Sequence, residues 1–268
     1  MSQIHADDIR VAYDKTIIID RLSVEIPEGK ITTIIGANGC GKSTLLKALT
    51  RINPLEEGLI FLDGDSIANL KTKDIAKKMA LLPQVLEASQ GITVYELVSY
   101  GRFPHQKYLG TLTKQDRDKI HWAMEVTHTT AFANLEVDSL SGGQRQRVWI
   151  AMALAQDTDT IFLDEPTTYL DLNHQLEVLE LLEDLNKTSG KTIVMVLHDL
   201  NHSARFSDHL IAMKKGQIAY QGSSFDLMTS EVLRDIFAID AHIVPDPIHN
   251  RPCVLTYQLV DKDETNHR

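Results

Sequence analysis

The sequence predicts an α/β fold built on a mainly parallel sheet, and three observations carry that prediction. Apolar runs of strand character (KITTII, TIFLDE and KTIVMVLHD) alternate with runs of helical spacing. The first run leads directly into the glycine-rich stretch GANGCGKS, Gly36 to Ser43, and then into the helix-type STLLKALT, a strand–loop–helix order. From about Val85 to Asp159 strand signals are scarce and helical spacing dominates, so the α/β core should carry a helical insert.

Taken in order, residues 4 to 35 read as short strands, IRVAY, KTIIIDRLSVEI and KITTII, with the turn PEGK between the last two. GLIFLDG gives a further strand pair ending near Gly64. Residues 73 to 79 read as helical, and MALLPQ as a short strand ending at Gln84. TVYELVSYGRF and TKQDRDKIHWAMEVTHTTAF are helical. The alternation then resumes with strand TIFLDE, helix HQLEVLELLEDLNKTS, strand KTIVMVLHD, helix NHSARFS and hairpin HLIAMKKGQIAYQG. The tail has a helix at TSEVLRDIFAI and a last strand at CVLTYQLV. These breaks divide a single domain, 1–268, into a nucleotide-binding core at 1–84 and 160–222, a helical unit at 85–159, and a C-terminal extension at 223–268.

Composition narrows the classes. The 268 residues are 43% hydrophobic, enough for a large core. A formal net charge of -10 argues against nucleic acid as the partner, because phosphate backbones need basic surfaces. Two cysteines, Cys40 and Cys253, give no disulfide framework and fit a reducing cytosol. The opening MSQIHADDIR has no apolar signal region, and no run approaches the ~18 apolar residues of a membrane span. A membrane role would therefore come through a partner.

Gly36, Ala37, Asn38, Gly39, Cys40, Gly41, Lys42 and Ser43 match G-x-x-x-x-G-K-[ST] in full. The glycines let backbone N–H groups close around a phosphate, and the helix starting near Lys42 points its positive end at the same place. Lys42 is expected on the β- and γ-phosphates of ATP, Ser43 on Mg²⁺ and Thr44 on the α-phosphate. Cys40 lines the loop without a catalytic role. TIFLDE ends in Asp164, whose carboxylate suits an outer partner of Mg²⁺. Glu165 follows at the carboxyl edge of the sheet, where ligands collect in open α/β folds, and suits the polarisation of an attacking water. A second glycine-rich stretch, LSGGQRQR from Leu140 to Arg147, raises the question of why one ATP site should need two such loops.

The phosphate loop, Gln84 after a strand, LSGGQ shortly before IFLDE, PTTYLD after it, and His198 closing a later strand stand in an order that resembles the ATPase subunits of ABC transporters. The resemblance covers nearly the whole chain, and LSGGQ ahead of LDEPTTYLD is its most specific part. It implies a phosphate-loop NTPase (RecA-like) core with an N-terminal antiparallel β subdomain and an inserted α-helical subdomain. It also implies a head-to-tail homodimer in which each ATP lies between the phosphate loop of one copy and the LSGGQ signature loop of the other. Ser141 would then donate its hydroxyl, Gly142 and Gly143 would allow close backbone approach, and the helix beginning around Gln144 would aim its dipole at the same anion. Locally, a serine-capped helix start with no ligand fits those residues equally well. The resemblance further implies that Tyr13 stacks on adenine and that Gln84 touches Mg²⁺ or the water. By the same likeness Asp171 belongs to the loop crossing the dimer interface, and His198 contacts the γ-phosphate beside the catalytic Glu165.

VSYGRFPHQ, GGQRQRVWIAMALAQ and LDEPTTYLDLNHQLEVLELL are similar to the ATPases of iron–siderophore importers, and in particular to those of ferric hydroxamate (ferrichrome-type) uptake in Gram-positive bacteria. The likeness implies integral-membrane permease subunits as partners, a substrate-binding protein as an indirect one, and a peripheral place on the cytoplasmic face of the membrane. Haem, cobalamin and zinc or manganese importers are the alternatives within transport. A soluble ATPase of the iron–sulfur assembly type is the alternative outside it. DNA-repair relatives carry long coiled coils, and no heptad run occurs here. Translation relatives usually hold two sets of motifs, and this chain has one. Intact Glu165 and His198 argue against a module that holds ATP without hydrolysing it.

Overall fold

A computed structural model describes residues 3–84, 89–106 and 110–260. The expected start of the helical unit at Val85 and the end of the C-terminal extension lie outside the described residues.

Strands β1 (Ile4–Tyr13) and β2 (Thr16–Ile26) form an antiparallel pair. In β2, Leu22, Val24 and Ile26 are buried while Arg21, Ser23 and Glu25 are exposed, the alternation of a sheet with one wet face. β3 (Ile31–Gly36) is buried at every residue, as a central parallel strand covered on both faces should be. After α1 (Lys42–Leu49), β4 (Glu57–Leu62) and β5 (Asp65–Ser66) complete a four-stranded antiparallel sheet, β2-β1-β4-β5. The helix expected over 73–79 is shorter than the sequence suggests. α2 (Thr72–Ile75) is a single turn with no side-chain cap, and Met79 already belongs to β6 (Met79–Leu82).

Between β6 and β7 (Thr160–Asp164) come α3 (Val94–Tyr100), α4 (Lys114–Val126) and α5 (Gly142–Ala155). Each opens on a reciprocal cap: Thr93 with Glu96, Thr113 with Asp116, and Ser141 with Gln144. Arg102, after α3, donates to Asp116 Oδ1 at 2.9 Å and to the Ala155 carbonyl at 2.6 Å, tying α3, α4 and the end of α5 together in a buried ion pair.

The alternation continues with α6 (Leu172–Ser189), β8 (Thr192–Val196), α7 (Leu200–Phe206), β9 (His209–Lys214) and β10 (Gln217–Gly222). The main sheet runs β10-β9-β3-β8-β7-β6, parallel except for the β10 edge. Five of its strands, β3, β6, β7, β8 and β9, therefore end on the same edge, at Gly36, Leu82, Asp164, Val196 and Lys214. The tail holds α8 (Ser224–Leu227), α9 (Ser230–Phe237) and the hairpin β11 (Ile239–Pro245) with β12 (Pro252–Leu259). The sequence predicts only α9 and β12 there. Nothing punctuates the switch into β11, because the left-handed residue closing α9 is Ala238 (φ 55°) and not a glycine.

Candidate ATP site

The loop after β3 is braced by the neighbouring strand. Gly36 has φ 148°, and a Cβ there would stand 2.4 Å from the Met213 carbonyl oxygen and 2.7 Å from Cys40 Sγ, so only glycine fits. Cys40 is buried and its carbonyl accepts from the Gly216 N–H at 2.9 Å. Burial pushes the Cys40 thiol up, against the pull of Lys42, which suits a packing role. Lys42 is buried, and its ammonium donates to the carbonyls of Gly36 at 2.8 Å and Ala37 at 3.2 Å. Ala37, Asn38 and Gly39 are exposed at the tip, while Gly41 opens α1 in the left-handed region.

The two carboxylates after β7 have opposite environments. Asp164 is buried; Oδ1 accepts from Ser43 Oγ at 2.8 Å, and Oδ2 finds no hydrogen-bond partner among the described residues. Burial raises its pKa, and this outweighs the hydrogen bond from Ser43 and the charges of Lys47 and Lys42. A buried carboxylate oxygen without a donor is costly, and beside a serine hydroxyl it fits a hard divalent cation such as Mg²⁺. Glu165 sits in the left-handed region at φ 55°, where the chain turns sharply. Its Oε2 accepts from Gln84 Nε2 at 2.6 Å and Thr168 Oγ1 at 3.0 Å, and its Oε1 lies 2.5 Å from His198 Nε2. Burial alone would raise its pKa, but the hydrogen bonds from His198, Thr168 and Gln84 hold it below the ordinary glutamate value.

Asn38, Gly39, Gly41, Lys42, Ser43, Thr44, Gln84, Glu165 and His198 line one cleft of about 490 Å³, with Ile18 of β2 on its wall. Thr168 and Ile18 escape the sequence reading. Thr168 follows Glu165 by three residues, and only the turn at Glu165 curls it back onto the carboxylate.

Other expected residues do not line this cleft. Tyr13 is half exposed at the end of β1, and its hydroxyl accepts from Asn53 Nδ2 at 2.6 Å. Ser141 is exposed and caps α5: its Oγ accepts from the Gln144 N–H at 3.3 Å, and its own N–H donates to Gln144 Oε1 at 3.1 Å. Gly142 is exposed and Gly143 is buried. Asp171 is exposed and caps α6, and hydrogen bonds from His174 lower its pKa. Within one chain, the signature loop and the phosphate loop face different surroundings.

The family model described as ABC transporter matches residues 19–168. The iron(3+)-hydroxamate import ATP-binding protein FhuC of Bacillus subtilis (strain 168) is 53% identical over 264 residues, which covers 98% of both chains. The petrobactin import ATP-binding protein FpuD of Bacillus anthracis is 48% identical, over 93% of this chain and 91% of that one. Among solved structures, an inward-facing conformation of a protein assigned as a metal-chelate type ABC transporter superposes with TM-score 0.81 and 26% identity, over 98% of this chain and 100% of that one. The dimeric structure of MJ0796, a bacterial ABC transporter cassette, superposes with TM-score 0.72 and 29% identity, over 82% and 98%. With the phosphate loop and the paired carboxylates at one edge of the main sheet and the signature helix in the insert ahead of β7, the chain belongs to the ABC transporter family as an ATP-binding, ATP-hydrolysing subunit.

Proposed function

We propose that this ATPase energises the import of iron–siderophore complexes, ferric hydroxamates foremost, through an integral-membrane permease supplied by a substrate-binding protein. It works as a head-to-tail homodimer at the cytoplasmic face of the membrane. The likeness to hydroxamate and petrobactin import ATP-binding proteins supports this ligand class over haem, cobalamin or zinc. Among the described residues no helix is long and apolar enough to cross a membrane, and in this reading the subunit acts on the permease through a docking surface. The groove beside α3 offers one. Tyr100 and Phe103 stack at 4.8 Å between ring centroids, and Phe103 is 56% exposed.

In this reading Lys42 and the amides of Gly39, Gly41 and Thr44 hold the phosphates of ATP, and Tyr13 stacks on the adenine. Ser43, Asp164 and Gln84 hold Mg²⁺, which supplies charge neutralisation on the phosphate oxygens. Glu165 orients the attacking water and takes its proton. His198 fixes Glu165 and reaches towards the γ-phosphate. Ser141, Gly142, Gly143 and Gln144 of a second copy close over that phosphate, with Asp171 in the crossing loop.

The Glu165 carboxylate, gripped by Gln84, Thr168 and His198 at the rim of the phosphate-loop cleft, carries the hydrolytic part of the reading, and the likeness to hydroxamate and petrobactin import ATP-binding proteins carries the ligand class. Uptake of radiolabelled ferric hydroxamate, haem and zinc in cells lacking this protein tests the ligand class. Loss of hydroxamate uptake alone supports it, and loss of another ligand instead overturns it.

A further inference from the structure

The first turns of α5 and α6 are laced by two rungs. In the first, the His174 ring of α6 covers Gly143 of α5 so closely that a Cβ on Gly143 would stand 2.5 Å from its Cδ2 and 2.8 Å from its Cγ. The same ring turns Nδ1 to Asp171 Oδ1 at 2.6 Å, and that oxygen also accepts the His174 backbone N–H at 3.0 Å. One turn further along both helices, Arg147 pairs with Glu177, whose other oxygen accepts from Asn173 Nδ2 at 3.2 Å. His174 and Glu177 are three apart on α6, and Gly143 and Arg147 four apart on α5, so the rungs join facing stripes.

We propose that His174 is a positioning residue that locks the Asp171 turn to the Ser141 loop within one chain, so that both meet the second copy's nucleotide as one unit. The inference rests on the reading of two copies closing over ATP. Asp171 and Ser141 are both exposed helix caps on separate loops, one before α6 and one before α5. The imidazole is a single rigid body that touches both: one edge bonds the Asp171 carboxylate, and the ring lies against the Gly143 backbone. Without it each loop moves on its own, and the pair reaches the closing geometry less often. The Arg147–Glu177 rung still holds the helices side by side.

The tests are His174→Ala and His174→Phe in the full chain. Both keep the α6 cap, which uses only the backbone N–H of residue 174. Hydrogen–deuterium exchange is read on the nucleotide-free protein, alongside kcat, KM and the affinity of the monomer for a fluorescent ATP analogue. For His174→Ala, exchange should quicken in both 141–146 and 171–175, and kcat should fall about tenfold with ATP affinity within about twofold. His174→Phe keeps a ring over Gly143 but loses the bond to Asp171. It should leave 141–146 protected, loosen 171–175, and still lower kcat; it also serves should the alanine variant not fold. Quickened exchange in 171–175 alone for the alanine variant overturns the lock, and an unchanged kcat with both segments loosened overturns its positioning role. Failure of the dimer reading registers separately, as Glu165→Gln remaining monomeric with ATP while the exchange result still decides the lock.

Discussion

Glu165→Gln separates chemistry from binding at one atom. The glutamate Oε2 accepts two hydrogen bonds, from Gln84 Nε2 and Thr168 Oγ1, while Oε1 faces His198 Nε2. A glutamine has the same shape, but its NH₂ cannot accept. Turned to Gln84 and Thr168 it would meet two donors. Turned to His198 it meets a ring nitrogen that accepts once the neutral imidazole carries its proton on Nδ1. The amide should therefore settle with oxygen towards Gln84 and Thr168, keeping all three contacts as neutral hydrogen bonds at a cost of about 1–2 kcal/mol. Folding and ATP binding should survive, while the proposed proton acceptor is lost. Steady-state turnover should fall ~10²- to 10⁴-fold, the usual loss on removing a general base. With ATP present, light scattering should find the variant as a stable dimer. Turnover within about tenfold of wild type would refute the role of Glu165, and loss of ATP binding would make it structural. The pH dependence has a definite sign. The depressed pKa keeps Glu165 ionised throughout the neutral range, so its protonation limits activity only below the ordinary glutamate value. Its contribution to stability is full above the unfolded-state pKa and is lost as pH falls through the lower folded-state value, a limb that Glu165→Gln removes.

Other perturbations test the remaining parts. Mixing Ser141→Arg with Lys42→Ala chains should give heterodimers in which one composite site carries both defects and the other is intact, and with Asn38→Cys in one chain and Ser141→Cys in the other, ATP should promote an interchain crosslink; crosslinking only within one chain would exclude the sandwich. Phe103→Asp should weaken co-purification with the permease by more than about tenfold, a hot-spot loss, while ATP binding holds. Arg102→Ala should destabilise the fold by about 3–5 kcal/mol in urea titration, because it strands the buried Asp116 carboxylate and frees the last carbonyl of α5. Burial would raise the Asp116 pKa, but hydrogen bonds from Thr113 and Arg102 lower it, so its stabilisation is present above the ordinary aspartate value and disappears as pH falls through the folded one. The variant should accordingly show a flatter acid limb.

Most of the main sheet was legible because its parallel central strands are short, buried and rich in β-branched and apolar residues, as in ITTIIG, TIFLD and TIVMV. The phosphate loop was legible for the same reason: its glycine spacing states a backbone requirement that Gly36 meets against Met213. Short elements were less so. α2 had helical composition, but the chain turns after Ile75 and Met79 pairs with Thr160 as the first residue of β6. β11 was hidden behind Ala238. Within the site, Thr168 and His174 were missed because their partners are set by turns. Thr168 reaches Glu165 only through a left-handed residue, and His174 reaches Gly143 only because the starts of α5 and α6, on either side of β7 in the chain, come side by side.

The capping geometry at Ser141 bears on why a second glycine-rich loop is present at all. A helix start needs acceptors for its free N–H groups, and Ser141 Oγ meets this by accepting from Gln144, while the Ser141 N–H is taken by the Gln144 side chain. That arrangement spends a lone pair of the hydroxyl and leaves its proton uncommitted, on an exposed residue followed by Gly142, beside which a Cβ would meet nothing within 4 Å. A plain structural cap requires no such bare approach. In the proposed dimer the same hydroxyl can keep capping α5 and donate to a phosphate oxygen of the second copy, with the helix dipole behind it. Capping and catalysis then use different parts of one side chain. Ser141→Asn would keep the cap and still offer a donor, but from a longer side chain that crowds the opposing phosphate. It should retain fold stability to within about 0.5 kcal/mol and lose most ATP turnover, whereas equal turnover in the two proteins would mean that the serine serves the helix alone.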